Sequence, residues 1–152
     1  MSKYKEKYKK FTEEVKDKIK LKYMCIDELF TFVKKKDKKV YIWGAVGEDE
    51  MGKKYYFYKI TERRRKRELE GFNEEIPKAK IYYTDKNRVY GAVYKEKVKQ
   101  EKSRYTNKIE NINSQMRDKI GYLVRRSKGH AKSIEWLDYR LAMFFCSLNS
   151  IY

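Results

Sequence analysis

The run Lys22–Val33, KYMCIDELFTFV, restricts the fold of this chain more than any other stretch. Read with the two-residue period of a β-strand, Cys25, Asp27, Leu29 and Thr31 share one face. Met24, Ile26, Glu28, Phe30 and Phe32 share the other. Both faces are largely apolar, which places the strand in the interior of a sheet. Two acids nevertheless sit in its middle. An ionised carboxylate in such a place is costly unless something cationic compensates it. Either Asp27 holds a divalent metal at the rim of the sheet, or Asp27 or Glu28 ends the strand or pairs with one of the many lysines. The stretch alone leaves both readings open.

The charge balance narrows the partner. The chain has 152 residues, enough for one compact domain with a real core. Apolar residues make up 41% of it, which argues against general disorder. Lysine and arginine number 39 against 22 acids, a formal net charge of +17. That excess points to a polyanionic partner. No amphipathic anchor accompanies the basic runs, so a membrane surface is not favoured. The apolar run Leu141–Cys146 is far too short to span a bilayer. The first residues, MSKYKEKYKK, lack the apolar core of a signal peptide, so a cytoplasmic location is expected. Cys25 and Cys146 lie in apolar segments and read as buried thiols; without a CxxC pair, a structural zinc site is not supported. His130 has no ligand partners nearby in sequence and carries no catalytic assignment.

Taken in order, residues 1–20 place Tyr4, Tyr8, Phe11, Val15 and Ile19 at helical spacing, predicting a basic amphipathic helix or linker ahead of a domain over 21–152. Val40–Val46 is a second strand, Gly47–Lys53 a hairpin turn and Lys54–Ile60 a third strand. Connections this short make the three strands an antiparallel meander. Thr61–Phe72 reads as a helix capped by Thr61 and closing near Gly71, its arginines either solvated or set against phosphates. Pro77 marks a break before a fourth strand, Ala79–Thr84, with Asp85 at its end. A helix between strands three and four allows strand four to lie parallel to strand one, bringing Asp85 beside Asp27. Asp85-Lys86-Asn87 is also ordinary turn chemistry. Asn87–Tyr94 reads as a short helix and Lys95–Tyr105 as a basic edge strand or loop.

From Asn107 onward two helices are expected. Asn107 with Glu110 matches a capping box, which is one reading of Glu110. Ile109, Ile112, Met116, Ile120 and Leu123 form the first buried stripe, with Glu110, Asn113 and Arg117 on a flanking face. Gly129 breaks the run, and Ile134, Leu137, Leu141, Phe144 or Phe145, and Leu148 form the second stripe.

An acid in strand one, an acid ending strand four and an acid on a following helix resemble the ribonuclease-H-like arrangement. That fold class is an α/β mixed sheet, an antiparallel three-strand meander plus parallel strands with flanking C-terminal helices. The sequence further resembles the DDE transposases of the insertion-sequence-one type. The matching stretches are Ile26-Asp27-Glu28-Leu29-Phe30, then Tyr83-Thr84-Asp85, then Lys102 through Glu110, KSRYTNKIE. Asn113, Arg117, Arg125-Arg126 and Lys132-Ser133 follow. Between Asp85 and Glu110 lie 110 − 85 − 1 = 24 residues, the interval characteristic of that family.

The resemblance implies a metal-binding catalytic triad of Asp27, Asp85 and Glu110 holding two magnesium ions, with manganese as a substitute. It implies DNA contacts by Arg104, Tyr105, Asn113, Arg117, Arg125, Arg126 and Lys132. The implied activity is metal-dependent cleavage and strand transfer at the ends of an insertion sequence, in a nucleoid-associated protein. Glu28 points to the other strand face and is secondary in this reading. Two departures stand out. Lys86 and Asn87 occupy positions where the family usually carries glycine and an aromatic, and 26 residues precede Asp27 without zinc ligands. The chain therefore resembles the downstream catalytic reading frame. Its implied partners are DNA, an upstream zinc-finger and helix-turn-helix segment, and a second copy of itself on DNA. The rival readings are a nuclease on the same scaffold and a non-catalytic basic nucleic-acid-binding protein.

Overall fold

The computed structural model describes residues 3–33, 38–100, 107, 110, 111, 114, 115, 118 and 133–151. The apolar run around Asp27 forms β1 (Leu21–Phe32), the middle strand of a five-stranded sheet. On one side it pairs antiparallel with β2 (Lys39–Asp49), which pairs antiparallel with β3 (Lys54–Thr61). On the other side it pairs parallel with β4 (Tyr82–Tyr83), and β4 pairs parallel with β5 (Val98–Lys99). The strand order is β3-β2-β1-β4-β5. The helices are α1 (Lys3–Lys16), α2 (Lys66–Glu75), α3 (Arg88–Tyr94) and α4 (Ile134–Leu148).

Apolar alternation on β1 fills two cores. Tyr23, Cys25, Leu29 and Val33 pack with Leu137, Leu141 and Phe145 of α4. Met24 and Ile26 pack with Leu69 and Phe72 of α2 and with Val89, Tyr90 and Tyr94 of α3. The register shifts between Leu21 and Tyr23, so Leu21 joins the core of Met24 and Ile26 although its number has the parity of Tyr23. Both cysteines are buried and free. Strand β3 lies at the edge, where unpaired backbone groups invite association. Helix α1 crosses it: Tyr4 and Tyr8 reach the first core, Phe11 and Val15 the second, which Ile19 joins from just beyond the helix. The Tyr58 N–H donates to the Tyr8 hydroxyl at 2.7 Å, and that hydroxyl lies 3.2 Å from the Tyr58 carbonyl. The Asn149 carboxamide pairs with both the N–H and the carbonyl of Tyr56, at 2.9 and 2.8 Å. Side chains thus close the edge at two alternate residues.

The meander matches the sequence reading, while several boundaries differ: β2 runs on through residues 47–49, which the sequence pattern assigns to the hairpin turn. Thr61 ends β3 instead of capping a helix: its hydroxyl accepts from Trp43 Nε1 at 2.8 Å and donates to the Arg63 carbonyl at 2.7 Å. Helix α2 starts five residues later at Lys66 and carries Gly71 within it. The fourth strand shrinks to Tyr82–Tyr83 with an isolated bridge at Ala79. The Ala79 N–H is taken by the Tyr82 hydroxyl at 3.0 Å, so it is diverted from a regular ladder. Asn87 caps α3, its side chain accepting from the Val89 N–H. The basic segment after it forms a 3-10 turn, Lys95–Lys97, and then β5. Ser133 caps α4, and of the two candidate phenylalanines Phe145 is the fully buried one. Asn107, Glu110, Asn111, Ser114, Gln115 and Asp118 are helical and exposed, so Asn107 lies within a helix and is not the N-cap that the capping-box pattern predicts. Ile109, Ile112, Met116, Ile120, Leu123 and Gly129 lie outside the described residues.

Gly47 lies under Leu21, where an added Cβ would stand 2.5 Å from Leu21 Cδ1. Leu21 is fully buried and has little room to yield. Gly47→Ala is therefore expected to destabilise the protein by about 1–3 kcal/mol in chemical denaturation, the usual cost of overpacking a core.

Candidate metal centre

The parallel register of β1 and β4 sets the site. Met24 pairs with Tyr82 and Cys25 with Tyr83, an offset of 58, so Asp27 aligns with residue 27 + 58 = 85. Asp85 follows β4 at its C-terminal end, in the short passage to α3. Its Oδ1 accepts from the Asn87 N–H at 2.9 Å, as a turn-forming aspartate does. Asp27 Oδ1 accepts from the Glu28 N–H at 2.9 Å.

Asp27, Glu28 and Asp85 each offer a carboxylate oxygen, and the three lie within 4.8 Å of one another. Alternation gives Glu28 the opposite face from Asp27, yet its longer side chain brings an oxygen into the group. The Glu28 side chain is enclosed, 5% exposed, whereas Asp85 is exposed. It accepts from the Tyr90 hydroxyl through Oε2, and from Asn87 Nδ2 at 3.0 Å and Arg64 Nη1 at 3.3 Å through Oε1.

Burial raises the Glu28 carboxyl above its ordinary pKa, and the nearby Asp85 charge adds to this. The bonds from Tyr90 and Asn87 and the charge of Arg64 act the other way. Tyr90 is itself raised well above its usual value, by burial first and then by Glu28, so it stays a donor at neutral pH. A divalent cation would relieve the repulsion that remains. Three clustered carboxylates are a hard-oxygen donor set and suit magnesium or manganese rather than soft metals.

The structure thus brings Asp27 and Asp85 together and adds Glu28. Glu110 is helical and exposed and stands outside this group. Arg104, Tyr105, Asn113, Arg117, Arg125, Arg126 and Lys132 lie outside the described residues. Sequence reasoning missed the Glu28 partners Asn87, Tyr90 and Arg64. The available signal was Asn87 with Tyr90, three apart at the start of a short helix and therefore able to reach one target.

Fold and site together define a strongly basic α/β protein with an oxygen-donor centre beside the C-terminal end of a parallel strand. The chain belongs to the IS1 transposase family, whose sequence profile matches residues 22–149. Membership implies a transposition enzyme with DNA as substrate and a requirement for a divalent metal. Searches of curated proteins and of solved structures return no match. Among the described residues, no helix is long and apolar enough to cross a membrane.

Two measurements check the centre. Magnesium or manganese is expected to raise the melting temperature, because a ligand that binds the folded state stabilises it; Asp85→Asn should shrink that rise. Without metal, the raised Glu28 carboxyl contributes stability that is lost as pH rises from its ordinary value of 4.5. Glu28→Gln should flatten that part of the metal-free stability profile.

Proposed function

We infer that this protein is the catalytic part of a transposase, cutting DNA at the ends of an insertion sequence and joining the freed ends to a target. The observation that carries this reading is the carboxylate group of Asp27, Glu28 and Asp85 in a family of transposases. The strand order β3-β2-β1-β4-β5, with its first three strands antiparallel and the rest parallel, supports a ribonuclease-H-like scaffold. Asp27 and Asp85 are the core ligands, and Glu110 is the third member on its spacing of 24 residues from Asp85.

Magnesium, held by Asp27 and Asp85 with Glu110, would supply charge stabilisation for the attacking and leaving oxygens of a phosphodiester. The protein's own work is to fix these oxygens and the DNA. Asp27 is held by the rigid central strand, and Asp85 by the turn that its own bond to the Asn87 N–H closes. Arg63, Arg64, Arg65 and Arg67, exposed between β3 and the first turn of α2, can neutralise phosphates next to the acids. Arg104, Tyr105, Asn113, Arg117, Arg125, Arg126 and Lys132 are assigned to the same DNA. The reaction is hydrolysis that frees a 3′-hydroxyl, followed by attack of that hydroxyl on a target phosphodiester. No bond to the protein forms in either step. The partners are the element ends, a target duplex, an upstream DNA-binding segment and a second copy of the chain, and the setting is the nucleoid.

With magnesium and a duplex mimicking an element end, Asp27→Asn or Asp85→Asn should abolish strand transfer while salt-sensitive DNA binding persists. Unchanged strand transfer in Asp85→Asn overturns the assignment. Glu110→Gln and Glu28→Gln, compared side by side, identify the third ligand as whichever loss is the more complete. Cleavage without joining in the unsubstituted protein favours a nuclease. Binding with no metal-dependent cutting favours a non-catalytic DNA binder.

A further inference from the structure

One face of the sheet is apolar and covered as far as the acid cluster, then apolar and open. Cross-strand pairs on that face are Glu28–Trp43, Phe30–Tyr41 and Phe32–Lys39. Trp43 is fully buried under Tyr90, their rings meeting edge to face at 6.2 Å. One pair further on, Phe30 is 52% exposed. Phe32 meets it edge to face at 5.9 Å, and both Phe32 and Tyr41 are half-buried. Cations crown this aromatic surface. Lys39 Nζ lies 3.9 Å from the Phe30 ring centre and 5.5 Å from that of Tyr41. The Arg64 guanidinium lies 5.7 Å from the Tyr41 ring while also bonding Glu28.

An exposed aromatic ring beside cations fits a ligand with a flat π-face and a negative charge close by. Nucleotides have both. Phe30 stands two strand residues from Glu28, about 7 Å along the sheet, close to the reach of one nucleotide from its phosphate. Bases in an intact duplex are stacked on each other and cannot offer a face, so the base must be unpaired. We propose that the open sheet face of Phe30, Tyr41 and Phe32, with Lys39 and Arg64, is a stacking platform for an unpaired DNA base beside the acid cluster. The inference rests on the transposase reading in taking DNA as the ligand. A frayed or extruded base then displaces Lys39 from above the Phe30 ring and stacks there, and Lys39 and Arg64 take the flanking phosphates.

The test reads stacking without chemistry. In an Asp85→Asn background with chelator present, a short single strand carrying 2-aminopurine should lose fluorescence on binding. A blunt duplex with the same base paired should not. Phe30→Ala should weaken single-strand binding at least about fivefold and abolish the quench, the usual worth of one base–aromatic stack. Duplex binding should stay unchanged. Phe30→Trp should restore both signals; Phe30→Leu keeps apolar cover without the ring and should behave as Phe30→Ala. Unchanged quench and affinity in Phe30→Ala and Phe30→Leu overturn the proposal, as does an equal loss for single strand and duplex. A changed oligomeric state with unchanged single-strand binding also overturns it, because the face would then be a protein interface. Failure here leaves metal-dependent strand transfer untouched, and absence of strand transfer in the unsubstituted protein leaves the stacking signal intact.

Discussion

The parallel contact between β1 and β4 is two residue pairs long, and the position of Asp85 beside Asp27 depends on it. A strand of two residues has little ladder of its own, so its register must come from side chains. Tyr82 stacks on Tyr94 of α3 with ring centres 3.8 Å apart, and its hydroxyl holds the Ala79 N–H. Tyr83, on the opposite face, meets Tyr23 edge to face at 6.0 Å. The Met24 N–H donates to the Ile81 carbonyl and the Thr84 N–H to the Lys99 carbonyl, tying β4 to both neighbours. A one-residue slip would send both tyrosines to the wrong cores and carry Asp85 away from Asp27. Packing of aromatic rings on two faces thus fixes the distance between two carboxylates.

The same strand explains the unequal character of the acids. Asp27 is half-buried, Asp85 lies in an exposed turn, and Glu28 is drawn beneath α3. Enclosure raises the Glu28 carboxyl, yet three donors converge on it from two connections: Asn87 and Tyr90 beyond β4, and Arg64 beyond β3. Glu28 therefore joins the turn that carries Asp85 and the arginine loop to the central strand. Buried charges persist where hydrogen bonds satisfy them. In a chain of net charge +17, such a pocket is a local negative site within a positive field. A cation is attracted to the pocket and a polyanion to its surroundings.

Much of this was legible in the sequence because it rests on local patterns. The period of two across Lys22–Val33 and the short connections dictated the central strand and the meander, and the helix before Pro77 implied a parallel fourth strand. Boundaries were less legible where a side chain competed with the backbone. Thr61 has the composition of a cap, but the Trp43 indole claims its hydroxyl from an adjacent strand. Ala79 has a strand neighbourhood, but the Tyr82 hydroxyl takes its N–H. For Glu28, strict alternation assigned the side chain to the far face and away from Asp27. Alternation fixes where Cβ points, not how far a glutamate reaches. Asn87 read as a departure from the family pattern; in the fold it caps α3 and donates to Glu28, two uses that only tertiary placement reveals.

Strand β1 also changes role along its length. Its even-numbered residues Met24 and Ile26 are core, packed against α2 and α3. At Glu28 the same face turns polar, and α3 reaches it through Tyr90. Beyond that point the face continues apolar, with Phe30 exposed and Lys39 lying over its ring. Arg63, Arg64 and Arg65 occupy the approach to α2, and Arg65 serves as its N-cap residue without a side-chain cap bond. A chain selected for stability alone would do better with a capping residue and a covered phenylalanine. Cations at that approach and a half-exposed ring under Lys39 beside the acids make sense together as the surroundings of a bound nucleic-acid strand.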